Sequence, residues 1–323
     1  MKAVYINENG EREKLIYGDF APPEPAPGQV VVKLSATGVN FIDVYQRKGL
    51  YKIPLPAVMG NEGAGTVETV GEGVSGFQKG DPVAYAMSRG SYAEYASVPA
   101  HLLVKVPSGV SMKMAAAAML QGMTAHYLTH STFPIEKGST ALVHAAAGGT
   151  GRLISQMVKL RGGTVIATVG TPAKAEIARA AGADHVILYS DQDWVAEVKK
   201  LTGGKGADVV YDGVGAATMV KGLDCLRPRG MMVLFGQASG PVPPFDLQLL
   251  NSKGSLFLTR PTLAHYASSP QEIQQRAGAV LGWILAKKLV LLVERDYQLS
   301  DAIRATEDLE SRKTMGKLVL SIA

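Results

Sequence analysis

The sequence predicts an α/β protein in which a doubly wound parallel sheet of six strands joins a mainly β, barrel-like domain. Three observations lead there. From residue 141 to about residue 260, apolar strand-like runs alternate with helix-like segments. The first of these runs ends in a turn with almost no side chain, Ala145-Ala146-Ala147-Gly148-Gly149-Thr150-Gly151, and then enters an amphipathic helix. The first 122 residues instead carry short β-branched or aromatic runs bounded by Gly, Pro and Asp turns. At 323 residues the chain exceeds the size at which single cores stop growing, so two domains are expected.

Taken in order, residues 1–6 read as a short strand rather than a signal peptide, and residues 30–34, 65–70 and 82–85 are the clearest strands of the first domain. Residues 113–120 form a strong helix, and residues 124–129 are expected to begin another. The domain crossing is placed there: 1–122 is the first domain, 123–262 the second, and 263–323 returns to the first. Strands of the second domain are expected at 141–144, 164–169, 185–188, 208–211, 231–235 and 255–259, with helices between most of them, including 172–181 and 193–201. A long helix at 270–288, another at 300–311 and a strand at 316–321 complete the chain.

Composition removes several classes. A hydrophobic content of 46% and a charged content of 19% describe an ordinary globular protein. The net charge of +5 is spread among Asp and Glu without a dense basic run, which argues against nucleic acid as the main partner. Cys225 is the only cysteine, so an intrachain disulfide or a multi-cysteine zinc site is excluded. No apolar run approaches membrane-spanning length, and a cytoplasmic location is expected.

The glycine turn carries the first functional signal. Its spacing, Ala145-x-x-Gly148-x-x-Gly151, is close to the G-x-G-x-x-G signature of the Rossmann fold, with alanine in the first glycine place and one more residue before the second. Such a turn brings a pyrophosphate against free N–H groups at a helix N-terminus. The next strand ends Val169-Gly170-Thr171-Pro172-Ala173-Lys174, with no carboxylate before Glu176 to hold a ribose 2′-hydroxyl. Gly170, Thr171 and Lys174 suit a 2′-phosphate, so NADPH is preferred over NADH; a solvated helix lysine is the competing reading of Lys174. His126 and His130 have the i, i+4 spacing of metal ligands, but Tyr127 stands where H-E-x-x-H needs glutamate, and they are read as packing or surface residues. His144 reads as structural or near the cofactor, and Cys225 as a small buried residue.

Further motifs identify the family. They are Asn40-Phe41-Ile42-Asp43, Gly49-Leu50-Tyr51, Gly90-Ser91-Tyr92-Ala93-Glu94-Tyr95, the glycine turn itself, Val209-Val210-Tyr211-Asp212-Gly213-Val214-Gly215 and Thr259-Arg260-Pro261. Together, over essentially the whole chain, they resemble the zinc-independent quinone oxidoreductases of the zeta-crystallin type in the medium-chain dehydrogenase/reductase superfamily. The resemblance implies a GroES-like catalytic domain, an NADPH-binding Rossmann domain, and metal-free hydride transfer to quinones in a cleft between them. It places Asn40, Phe41, Ile42 and Asp43 beside the nicotinamide and its ribose, and Tyr45 and Tyr51 in the quinone pocket. Asn40, Tyr45 and Tyr51 are thus the candidate catalytic residues, with packing aromatics the competing reading of the tyrosines. Tyr127 would lie beside the cofactor. Gly148, Gly149, Thr150 and Gly151 would meet the pyrophosphate, while Gly170, Thr171, Lys174 and Tyr189 would surround the adenosine and its 2′-phosphate. Gly236, Arg260, Pro261 and Arg312 would complete the cleft.

Asn40 and Asn61 stand where zinc-dependent relatives carry Cys and His, so no catalytic zinc is expected. Thr150 departs from the usual valine, and Gln121 stands where close relatives often carry lysine. An enone or alkenal reductase on the same scaffold is the nearest alternative, ahead of a zinc alcohol dehydrogenase. A nucleotide-bound structural or RNA-binding protein is the alternative of another class. The apolar last strand at 255–259 is expected to pair with its twin in a homodimer.

Overall fold

The computed structural model describes all 323 residues. They divide into two units, Met1–Met123 with Ala267–Ala323, and Thr124–Tyr266.

The first unit opens with β1 (Lys2–Ile6), β2 (Ile16–Asp19) and β3 (Gln29–Val39), then α1 (Phe41–Arg47). Strands β4 (Ala57–Val58), β5 (Glu62–Val70), β6 (Pro82–Ala86), β7 (Tyr95–Pro99) and β8 (Val104–Lys105) follow. The spine is β3. Its residues Val32 and Leu34 point into the core while Lys33 and Ser35 face outward, the period-two pattern of a half-buried strand. It pairs antiparallel with both β5 and β7.

One expectation is corrected at α2 (Met112–Tyr127): there is no helix break before Thr124, and a single helix runs on into a π-helical turn at Leu128–Thr132. Gly122 lies within this helix at a close contact, since a Cβ there would come within 2.7 Å of the Val280 side chain. The Ala115 to Ala118 run in the same helix is fully buried.

The second unit alternates β9 (Thr140–His144), α3 (Gly149–Leu160), β10 (Thr164–Val169), α4 (Pro172–Ala180), β11 (His185–Leu188) and α5 (Trp194–Leu201). It continues with β12 (Ala207–Asp212), α6 (Met219–Gly222), β13 (Leu226–Leu234), α7 (Gln248–Ser252), β14 (Phe257–Thr259) and α8 (Leu263–Tyr266). All pairs in its six-stranded sheet are parallel, in the order β11-β10-β9-β12-β13-β14. The chain therefore leaves β9 in one direction and resumes beside it at β12, which creates the switch point at which such sheets bind ligands. Leu142, Ile166, Ile187, Val210 and Met232 from successive strands fill one side of the core with Trp194 and Cys225. Burial pushes the Cys225 thiol up to about 12, so it is not an activated nucleophile. His144 bonds Thr168 Oγ1 through Nδ1 at 2.7 Å and meets the Trp194 ring edge-on; burial holds its pKa below the usual histidine range.

The chain returns to the first unit through α9 (Pro270–Leu285), β15 (Val293–Gln298), α10 (Ala302–Glu310) and β16 (Lys317–Ser321). Strand β16 adds antiparallel to the far half of β3, pairing Leu318 with Val39, and so delivers Lys317 to the end of that strand. No helix is long and apolar enough to cross a membrane.

Candidate active site

In the second unit the candidate residues converge by topology. Gly148 to Gly151 follow β9, Gly170 and Thr171 follow β10, Tyr189 follows β11, Gly236 follows β13, and Arg260 and Pro261 follow β14. All stand at the carboxyl edge of one parallel sheet. Ala145 enters the turn with φ 50°, the left-handed region that glycine favours, and its carbonyl accepts the Gly148 N–H at 2.9 Å. A Cβ on Gly151 would lie 2.5 Å from that carbonyl oxygen and 2.9 Å from Ala146 Cα, so only glycine allows this approach of helix to turn. The N–H groups of Gly149, Thr150 and Gly151 open α3 and have no place in its ladder. Together with the helix dipole they make a seat for an anion.

The second-strand turn is built differently. Thr171 caps α4, its hydroxyl accepting the Lys174 N–H at 3.3 Å, and Pro172 occupies the first helical position. Tyr189 lies over Gly170, where a Cβ would fall 2.6 Å from its hydroxyl. At the end of β12, buried Asp212 organises the loop that follows. Its Oδ1 accepts the N–H groups of Val214 and Gly215 at 2.7 and 3.0 Å, and its Oδ2 accepts the Thr218 hydroxyl at 2.7 Å. Gly236 packs so closely on Gly213 that a Cβ would lie 2.5 Å from the Gly213 oxygen. Tyr127 is buried, with its ring stacked on Tyr266 at 4.4 Å.

In the first unit, Asn40 and Asp43 sit inside a buried polar cluster. Asn40 donates through Nδ2 to Glu62 Oε1 at 2.6 Å and to the Gly38 carbonyl at 3.3 Å. Its Oδ1 accepts from Lys317 Nζ at 2.8 Å and Gln121 Nε2 at 3.3 Å. Lys317 also pairs with Glu62 Oε1, and Glu62 Oε2 accepts the Leu120 N–H at 2.6 Å. Asp43 takes the Asn61 amide on Oδ1 at 2.6 Å, and both the Tyr92 hydroxyl and the Asn40 N–H on Oδ2 at 2.9 Å. These donors favour the carboxylate, yet burial outweighs them and raises its pKa to about 6. Asn61 and Gln46 exchange amide bonds at 2.7 and 3.2 Å. These donor groups do not fit a zinc ion: Asn40 and Asn61 offer amides already engaged with neighbours, no thiolate or imidazole faces them, and a lysine ammonium fills the cluster.

Phe41 and Tyr45 on α1 and Tyr51 just after it form an aromatic row. Ring centroids lie 6.2 Å apart for Phe41 and Tyr45 and 5.5 Å apart for Tyr45 and Tyr51. Tyr51 is 39% exposed, whereas Tyr45 is nearly covered. Phe41 and Ile42 are half-buried. Arg312 is exposed in the turn after α10, with φ 57°. Glu62, Lys317 and Asp212 emerge only from the structure. Glu62 lies within the glycine-rich 60–65 segment, and Asp212 within the 209–215 motif, so both had a local signal; Lys317 had none.

The sequence profile of the zinc-binding dehydrogenases matches residues 149–276, and that of the alcohol dehydrogenase GroES-like domain matches residues 26–108. A quinone oxidoreductase from Pseudomonas aeruginosa is 44% identical over 99% of both chains. A 2-haloacrylate reductase from a Burkholderia species is 41% identical over 98% of both. The crystal structure of Escherichia coli quinone oxidoreductase complexed with NADPH superposes with a TM-score of 0.97 at 41% identity, covering 99% of this chain and 100% of that one. The chain belongs to the quinone oxidoreductase family of the medium-chain dehydrogenase/reductase superfamily.

Proposed function

We propose that this protein is an NADPH-dependent quinone reductase. The observation that carries the reading is the paired turns of the second unit. The Gly151 cradle leaves no room for a side chain beside an anion-binding helix start, and the Gly170-Thr171 turn has no carboxylate to repel a 2′-phosphate. The N–H groups of Gly149, Thr150 and Gly151 would hold the pyrophosphate. Thr171, Lys174 and the Tyr189 ring would hold the adenosine end, with Lys174 supplying the charge that distinguishes a 2′-phosphate from a hydroxyl. When bound, NADPH supplies the hydride from its nicotinamide.

The protein's own task is then placement. Asn40 and Asp43, buried and fully bonded, fix the start of α1, so that the half-buried Phe41 and Ile42 offer a rigid apolar edge to the nicotinamide ribose. Tyr45 and Tyr51 would present aromatic surface to a flat quinone, and the exposed Tyr51 can orient its hydroxyl toward an oxygen that gains negative charge. Gly236, Arg260, Pro261, Tyr127 and Arg312 would shape the remaining cofactor contacts.

A second reading, reduction of an activated alkene, is favoured by the 2-haloacrylate reductase relative. Hydride addition to a β-carbon needs nearly the same surface. The decisive assay follows NADPH oxidation with benzoquinones and naphthoquinones, with 2-haloacrylates and enones, and NADP⁺ reduction with primary alcohols. Quinones are expected to turn over fastest; turnover of alkenes without quinones would install the second reading, and turnover of alcohols alone would refute both.

We also propose that two copies pair through β14. It is the edge of the six-stranded sheet, and Phe257 on it is 57% exposed. Sedimentation should show a dimer at micromolar concentration, and a monomer would contradict the pairing.

A further inference from the structure

We propose that Lys317 is a positioning residue for the reaction, its buried ammonium fixing which way the Asn40 amide faces and hence how α1 begins. The inference rests on the function proposed above. Lys317 is 2% exposed and Glu62 is fully buried, so this is an ion pair removed from water. Three oxygens receive the ammonium: Glu62 Oε1, Asn40 Oδ1 at 2.8 Å and the Val39 carbonyl at 3.3 Å. Its three protons are therefore all placed.

Gly38 makes room for the arrangement. A Cβ there would collide with Glu62 Oε1 and come within 2.6 Å of Lys317 Cε. Backbone register enforces it as well, because Leu318 pairs with Val39 and sets the preceding lysine at the end of β3.

The consequence lies at Asn40. An amide can turn over and exchange its oxygen and nitrogen with little change in shape. Here the partners decide between the two. On one side stand donors, Lys317 Nζ and Gln121 Nε2; on the other stand acceptors, Glu62 Oε1 and the Gly38 carbonyl. Gln121 at 3.3 Å is the weaker donor, so the ammonium sets the orientation. Asn40 is also the residue before α1, and its N–H is held by Asp43 Oδ2 at 2.9 Å. Pinning Asn40 therefore pins the turn that carries Phe41, Ile42 and Tyr45.

An ion pair of purely structural value would be replaceable by neutral groups, whereas a positioning ammonium would not. The test compares wild type with Lys317→Met, Lys317→Met/Glu62→Gln and Lys317→Arg, measuring thermal midpoint, kcat with a quinone, and KM for NADPH. Lys317→Met strands a buried carboxylate and should lower the midpoint and kcat together. The double variant removes that charge and should recover the midpoint, while kcat stays at least about tenfold below wild type and KM for NADPH stays within about twofold. Lys317→Arg keeps a buried cation, so folding is retained, but its planar fork cannot place one nitrogen among the three oxygens; kcat should fall severalfold with KM unchanged. Wild-type kcat in either the double variant or Lys317→Arg would overturn the inference. Should the methionine variants not fold, Lys317→Arg decides alone. A wild-type protein that fails to oxidise NADPH with quinones would instead sink the proposed function, so the two failures are separable.

Discussion

The carboxyl edge of the six-stranded sheet and the polar cluster at the end of β3 prepare for chemistry in opposite ways. The sheet edge works through absence. Gly151 has no side chain, so the start of α3 and its backbone N–H groups stand open. The cluster works through saturation. Asn40, Asp43, Glu62 and Lys317 are buried with their polar atoms bonded to one another. An open backbone seat suits a charged ligand that arrives and leaves, because the ligand completes the hydrogen bonds. A closed network suits a surface that must not move, since each group restrains its neighbours and an unpaired one is costly in low dielectric.

The contrast can be broken first at the sheet edge. Gly151→Val places side-chain atoms against the Ala145 carbonyl, 2.5 Å from the Cβ position, and should weaken NADPH binding by about 100-fold or more, on the order of 3 kcal/mol. Fluorescence titration reads it, and unchanged affinity would show that the cradle is not the seat. The cluster should answer to pH instead. Burial raises the Asp43 pKa from 3.8 to about 6, so the folded protein holds this proton more tightly than the unfolded chain. Stability should therefore fall as pH rises through that window and level off above about 6, by on the order of 3 kcal/mol for a shift of about two units. Comparing urea unfolding of wild type and Asp43→Asn across this range isolates the contribution; parallel curves would remove it. The smallest effect is at Ala145. Ala145→Gly relieves a left-handed backbone, and the free energy of unfolding should rise by about 0.5–1 kcal/mol while NADPH affinity stays. A clear loss of stability would mean that the turn is not strained.

The same contrast explains what the sequence disclosed. The turns at Gly148 to Gly151 and Gly170 to Lys174 are local, each written within a few residues whose types have few other uses, and the strand alternation around them follows from burial on both faces of a parallel sheet. The cluster is not local. Lys317 and Glu62 lie 255 positions apart, and a lysine opening a short terminal strand reads like any solvated lysine. The segment 60–65 drew attention to Asn61 through its place in the family pattern, yet Glu62 beside it carries the ion pair. The separate helix expected from Thr124 fails for a packing reason, since Gly122, unfavourable in a helix by propensity, is kept inside one by tight packing on Val280. Asp212 stood within a recognised motif, but its task of holding Val214, Gly215 and Thr218 needed coordinates to see.

Steady-state turnover of one quinone with NADPH and with NADH, by wild type and Lys174→Ala, tests the central claim most directly. The account predicts that wild type prefers NADPH in kcat/KM by about tenfold or more, and that the substitution raises KM for NADPH by about tenfold while leaving NADH within about twofold, the loss of one charge-assisted contact worth about 1.4 kcal/mol. Equal use of both cofactors by wild type, or an equal effect of the substitution on both, would contradict it.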